Sequence, residues 1–179
     1  MEQTQPLTDA PVTPRSAGIR YGVIAGIISI IFFLVLNITA ADMSKSYWSW
    51  IGYLITAAII FLAHKYYKDN GDGFMNYGQG IGIAFWQGLV ASTISHAFSY
   101  IYIKFVDGSF VDNIIDAQRT AMEERGMSDE QIDQAMEFSA GFMTPEIMML
   151  MGFFFAILGA VIIALIVTIF TQKSRPETI

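Results

Sequence analysis

Cysteine is missing from all 179 residues. Disulfides, thiol nucleophiles and cysteine-held metals are therefore excluded. Histidine occurs only twice, as His64 and His96. A histidine-rich metal centre is excluded by that count. Basic residues are also scarce, 10 against 16 acids, for a formal charge of −6. A chain so poor in positive charge does not offer a basic face to nucleic acid. No cofactor-binding motif stands out. Most telling is where charge and proline do not occur. Four long stretches carry almost no ionisable side chain, and no proline breaks them.

What fills those stretches is apolar. Hydrophobic residues make up 54% of the chain, above the roughly 45–50% of ordinary soluble domains. The first stretch, Gly18 to Ala40, reaches about 35 Å as a helix, enough to cross about 30 Å of hydrocarbon. Its long polar lead contains Glu2 and Asp9, and the stretch outruns the h-region of a signal peptide. It is read as a retained span. The second runs from Tyr47 to His64. It is bordered by Tyr47, Trp48 and Trp50 at one end and by Lys65, Tyr66, Tyr67 and Lys68 at the other. Such rings favour the headgroup layer. The third covers 77–103. The fourth, 145–171, opens on Thr144-Pro145-Glu146, an N-cap, a first-turn proline and a first-turn acid.

The expected fold is an all-α integral membrane protein, a four-helix bundle. Residues 1–17 read as a disordered cytoplasmic tail, 18–171 as the membrane domain and 172–179 as a second tail. Asp69-Asn70-Gly71-Asp72-Gly73 is a turn. Between the third and fourth spans lies a polar insert, 107–142, expected to form an extracytoplasmic helical hairpin. Val111, Ile114, Ile115 and Met122 recur at helical spacing in its first half. Gly126 suits a left-handed cap, and Ser128 with Gln131 makes a capping-box pattern for a second helix.

Orientation follows from Lys and Arg near span ends. Arg15, Arg20, Lys65, Lys68, Lys173 and Arg175 fall on the side of the termini, and Lys45, Lys104, Arg119 and Arg125 on the other. Arg119 and Arg125 lie far inside the insert, where the rule has little force. The termini are thus expected in the cytoplasm.

Several segments together resemble one family. They are Gly18-Ile19-Arg20-Tyr21-Gly22, Asp72-Gly73-Phe74-Met75-Asn76-Tyr77-Gly78-Gln79-Gly80, Ser99-Tyr100-Ile101-Tyr102-Ile103-Lys104-Phe105, and Met122-Glu123-Glu124-Arg125-Gly126-Met127-Ser128 on to Met136. They resemble the bacterial membrane protein family called domain of unknown function 4199, from Gly18 to Thr171. The resemblance implies four helices in a bacterial inner membrane. It implies no activity, and no functional residue carries over.

Two constellations stand out from the residues themselves. Small side chains repeat every four positions: Gly18, Gly22 and Gly26; Gly78 and Gly82, with Gly80, Ala84 and Gly88 offset by two; and Gly152, Ala156, Ala160 and Ala164. Such rows let helix backbones approach closely. They suit packing within the bundle, or a homo-oligomer or partner helix if a row is left over. The third span also carries a polar stripe of Gln87, Ser92, Ser95, His96 and Ser99. Polar groups in spans usually face the interior. His96 is expected to be a neutral ring facing the bundle, bonded to Asn37, at similar depth, or to a serine. No acid lies at that depth to orient a Ser–His pair, so an enzyme is not expected. The insert carries nine acids against three bases from Lys104 to Phe142, which suits a solvated face or a docking surface. The expected partners are the lipid bilayer and a membrane protein, and the expected role is a non-enzymatic structural or interaction subunit. A small oligomeric transporter or channel is the alternative.

Overall fold

The computed structural model describes residues 12–39 and 46–176, and nearly all of them are helical. Four long helices form the bundle: α1 (Pro14–Ile38), α2 (Ser46–Asp69), α3 (Tyr77–Phe105) and α6 (Pro145–Thr171). Each is long and apolar enough to cross a membrane. Two shorter helices, α4 (Phe110–Glu124) and α5 (Asp129–Ala140), form the insert. Among the described residues there is no strand beyond one isolated bridge, Met75 with Lys173.

The first helix begins earlier than its apolar run. Pro14 to Ala17, expected in a disordered tail, form its first turn. The Thr13 hydroxyl accepts from the Ser16 amide at 3.1 Å, and the Ser16 hydroxyl accepts from the Thr13 amide at 2.9 Å. This reciprocal cap satisfies amides that a helix start leaves orphaned. Ala17 is fully buried, packed with Ala63, Tyr67, Met75 and Ile83. The tail expected for residues 1–11 lies outside the described residues. The second helix likewise runs past His64 to Asp69.

The third helix is the spine. Its first turn is capped by Asn76 with Gln79, and α1 lies along it with glycine inward. A Cβ on Gly18 would stand 2.5 Å from the Ile83 carbonyl oxygen, one on Gly22 2.7 Å from Val90 Cβ, and one on Gly26 2.9 Å from Ile94 Cβ. Those gaps leave no room for a methyl group, so α1 and α3 meet backbone to backbone. On its other side α3 meets α6 through the offset row. Gly80 faces Thr168, and Gly88 faces Ala160. Gly78 and Gly82 make no such approach: their nearest atoms are Asn76 Oδ1 at 3.6 Å and Pro14 Cβ at 3.9 Å.

The bundle is unevenly packed along its length. All the buried side chains of α2 lie between Ile59 and Tyr67, and those of α6 between Ala160 and Thr171. This is the end where the termini and the α2–α3 turn gather. Ile60, Ala84 and Ala164 form a dry layer there, with Ala17, Ala63, Tyr67, Met75 and Ile83 beyond it. The two-residue bridge closes the same end, with Met75 N–H donating to Lys173 O at 2.9 Å and Lys173 N–H to Met75 O at 2.8 Å.

At the opposite end an aromatic cluster fastens the insert. Phe33 of α1 meets Phe98 and Tyr102 of α3 edge-on, and tilts against the buried Phe110 of α4. Gly126, at φ +76°, ends α4 in the left-handed region that favours glycine. Arg119 joins the two short helices, 3.2 Å from Asp133 and 3.5 Å from Glu123. Ile132 is the buried residue of α5.

Candidate functional site

The loosely packed half of the bundle contains a crevice. A cavity of about 120 Å³ lies where α1, α2, α3 and α6 meet. Its polar lining comes from Ser29, Thr56, Gln87, Ser92 and Ser95. A wider groove of about 430 Å³ between α1, α2 and α6 shares Ser29, Phe32, Gly52, Thr56, Ala156 and Ala160 with it. The two form one continuous recess. Its rim carries Trp48, Tyr53 and Phe155, the last two exposed on the lateral surface.

Local sequence explains why the recess stays open. Gly52 lies on α2 with nothing within 4 Å of where its Cβ would be, and Gly159 on α6 is equally unfilled. A helix that used these glycines for contact would show close neighbours, as Gly18 does. Here they leave space. At the bottom the recess stops at the dry layer of Ile60, Ala84 and Ala164, so it has a floor rather than an exit.

Gln87 is the deepest polar group. It is 2% exposed, and its Oε1 has no hydrogen-bond donor. Thr56 turns its hydroxyl proton back to Gly52 O at 2.9 Å, leaving its lone pairs free to accept. At the rim, the Trp48 Nε1–H is buried and lacks an acceptor. Neither recess lining includes a charged residue.

The polar stripe of α3 is therefore split. Gln87, Ser92 and Ser95 line the cavity. His96 does not. Its Nδ1 lies 3.0 Å from Ser92 O, one turn back on its own helix, and its ring packs edge-on to Phe153 and close to Gly152. Asn37 donates to Phe33 O at 2.9 Å, also within its own helix. Of the two expected partners of His96, Asn37 is not met, because it bonds a carbonyl four residues back, whereas Ser95 Oγ lies 3.4 Å from His96 Nδ1. Ser99 is half-buried beyond His96. Of the small residues, Ala156 borders the crevice and Ala160 is buried against Gly88.

The histidine at the centre of the packing is His64, which sequence reasoning placed at a span border. It is fully buried. Its Nε2 lies 3.0 Å from Gly80 O and its Nδ1 2.8 Å from Thr171 Oγ1. A carbonyl only accepts, so Nε2 carries a proton; the Thr171 hydroxyl, also 3.0 Å from Val167 O, has one proton for that carbonyl and Nδ1. Lys68 donates to Thr171 O at 2.8 Å, capping the end of α6. One side chain of α2 thus bridges α3 and α6 below the floor of the crevice. The sequence carries no direct cue for this bridge, since the side-chain position of Gly80 opens towards Thr168 and Met75 and only its backbone carbonyl meets His64.

Three further bases at this end rest on rings. Arg15 lies over Trp86, Arg20 over Tyr66 with a bond to its hydroxyl at 3.0 Å, and Lys173 over Phe74. Arg175 pairs with Asp72. At the other end Lys104 meets Glu146 at 3.2 Å, with the Tyr100 hydroxyl accepting from the amine and donating to the carboxylate. Among the described residues no group of three or more metal-ligating side chains forms.

Four apolar spans packed through glycine and alanine rows, with a floored polar recess among them, define a multi-pass α-helical membrane protein. No curated protein and no solved structure matches the chain. A family does: the chain belongs to the one described as "Protein of unknown function (DUF4199)", which matches residues 20–173.

Proposed function

We propose that the protein is a non-enzymatic interaction subunit of the bacterial inner membrane, with both termini in the cytoplasm and the α4–α5 hairpin outside. The observation that carries the role is how the hairpin is held. It reaches the bundle through Phe110, while its acidic surface stays in water, and Phe138 and Phe142 pack together with 79% and 51% exposure. An element anchored by one buried ring and carrying exposed rings beside the membrane suits docking better than packing. The orientation is supported by the six bases gathered at the end of the termini.

The floor of the recess weighs against conduction through a single copy, since a dry layer blocks any polar path. Reporter fusions at Gly71 and after Ile179 should report cytoplasm, and one at Gly126 should report the periplasm. A cytoplasmic signal at Gly126 would overturn the orientation. Liposomes containing the purified protein should show no ion flux above empty ones. Flux that follows protein content would replace this reading with the oligomeric channel or transporter.

A further inference from the structure

The recess holds two buried polar atoms without partners, and the packing of the bundle uses neither. Gln87 Oε1 is an acceptor at the bottom, and Trp48 Nε1 a donor at the rim. An orphaned buried polar atom is costly, and native proteins usually supply its partner. Nothing in the lining supplies it. The walls between the two atoms combine apolar Phe32, Ile59 and Ala160 with the hydroxyl-bearing Ser29 and Thr56.

These features select a class of occupant. An ionic headgroup is disfavoured, because no countercharge lines the recess. Gln87 Oε1 is closed to water in this packing, and the mainly apolar walls towards Tyr53 and Phe155 favour hydrocarbon over water. The recess borders the lateral surface at Tyr53 and Phe155, within the spans. An occupant can therefore arrive from the hydrocarbon layer without crossing the headgroups. We propose that the recess binds a neutral, single-chain amphiphile with a hydroxyl head. The hydroxyl donates to Gln87 Oε1, and the chain passes between α2 and α6 into the bilayer. This goes beyond the role proposed above and depends neither on orientation nor on a partner of the hairpin.

The full chain, in native membrane vesicles and in nanodiscs, is exposed to hexadecanol carrying a photoactivatable diazirine, with the matching fatty acid as control. The alcohol should label peptides of α2 and α6 that line the recess, excess unlabelled hexadecanol should compete, and the acid should label weakly. Gln87→Leu should reduce labelling about five- to tenfold, the effect of losing one hydrogen bond. Gly52→Leu should abolish it by filling the recess. The space around Gly52 lets that variant keep the bundle intact, so its thermal unfolding should not move downward. Equal labelling in the wild type and Gly52→Leu, or labelling spread over the outward faces of α1 and α6, would overturn the proposal. So would no labelling at all, the result of a water-filled cavity only. Labelling confined to the nanodisc preparation would assign the recess to a partner helix and overturn it as well.

Discussion

At the scale of single residues, His64 and His96 have exchanged the weights their positions suggest. His96 lies mid-span, yet its bond to Ser92 O stays within one helix and ties nothing together. His64 lies near a span border, yet it joins α3 and α6 through Gly80 O and Thr171 Oγ1. His64→Leu should therefore lower stability by about 1–2 kcal/mol, by removing the two hydrogen bonds that tie α2 to α3 and α6. His96→Leu should cost less, under about 1 kcal/mol, since it loses a back-bond and keeps an apolar side chain against Gly152 and Phe153. Thermal unfolding in one mild detergent checks both. Equal losses would show that His64 is no more than a packed ring. Depth along a span was visible in the sequence; the direction a side chain faces was not.

Helices show the same division between pattern and partner. Rows of small residues were plain at spacing four, but α3 carries two such rows and only one meets α6. The Gly80, Ala84 and Gly88 row packs, whereas Gly78 and Gly82 have only ordinary van der Waals neighbours at 3.6 and 3.9 Å. Gly18→Ala should destabilise strongly, about 2 kcal/mol or more, because its new Cβ would press on the Ile83 carbonyl and α1 would have to shift. Gly78→Ala should be neutral or gain up to about 1 kcal/mol of helix propensity. Denaturation of the two variants side by side checks the assignment, and equal effects would sink it. The start of α1 is a plainer lesson. Thr13-Pro14 is the same cap-and-proline signal that opens α6 at Thr144-Pro145. The polar, proline-bearing lead obscured it, because prolines in a polar stretch also suit disorder.

For the whole molecule, span number and the presence of a helical insert were legible from hydropathy and capping residues. The unequal packing of the two halves was not. That asymmetry depends on which side chains fail to meet, as at Gly52 and Gly159, and spacing in one chain cannot report a missing neighbour. The tight end also has a consequence for how the protein comes into being. The backbone groups of Met75 are made early and find their partner in Lys173, which leaves the ribosome about 100 residues and roughly 5–20 s later. Until then the first three spans wait with that end unlatched. Truncation after Gln172 would remove the latch while sparing every span. The shortened chain should still insert, yet be cut faster by protease added from the side of the termini, near the α2–α3 turn. Equal cleavage rates would show that closure does not depend on the last residues made. Lys173 thus acts late, closing an end whose other partners are already made.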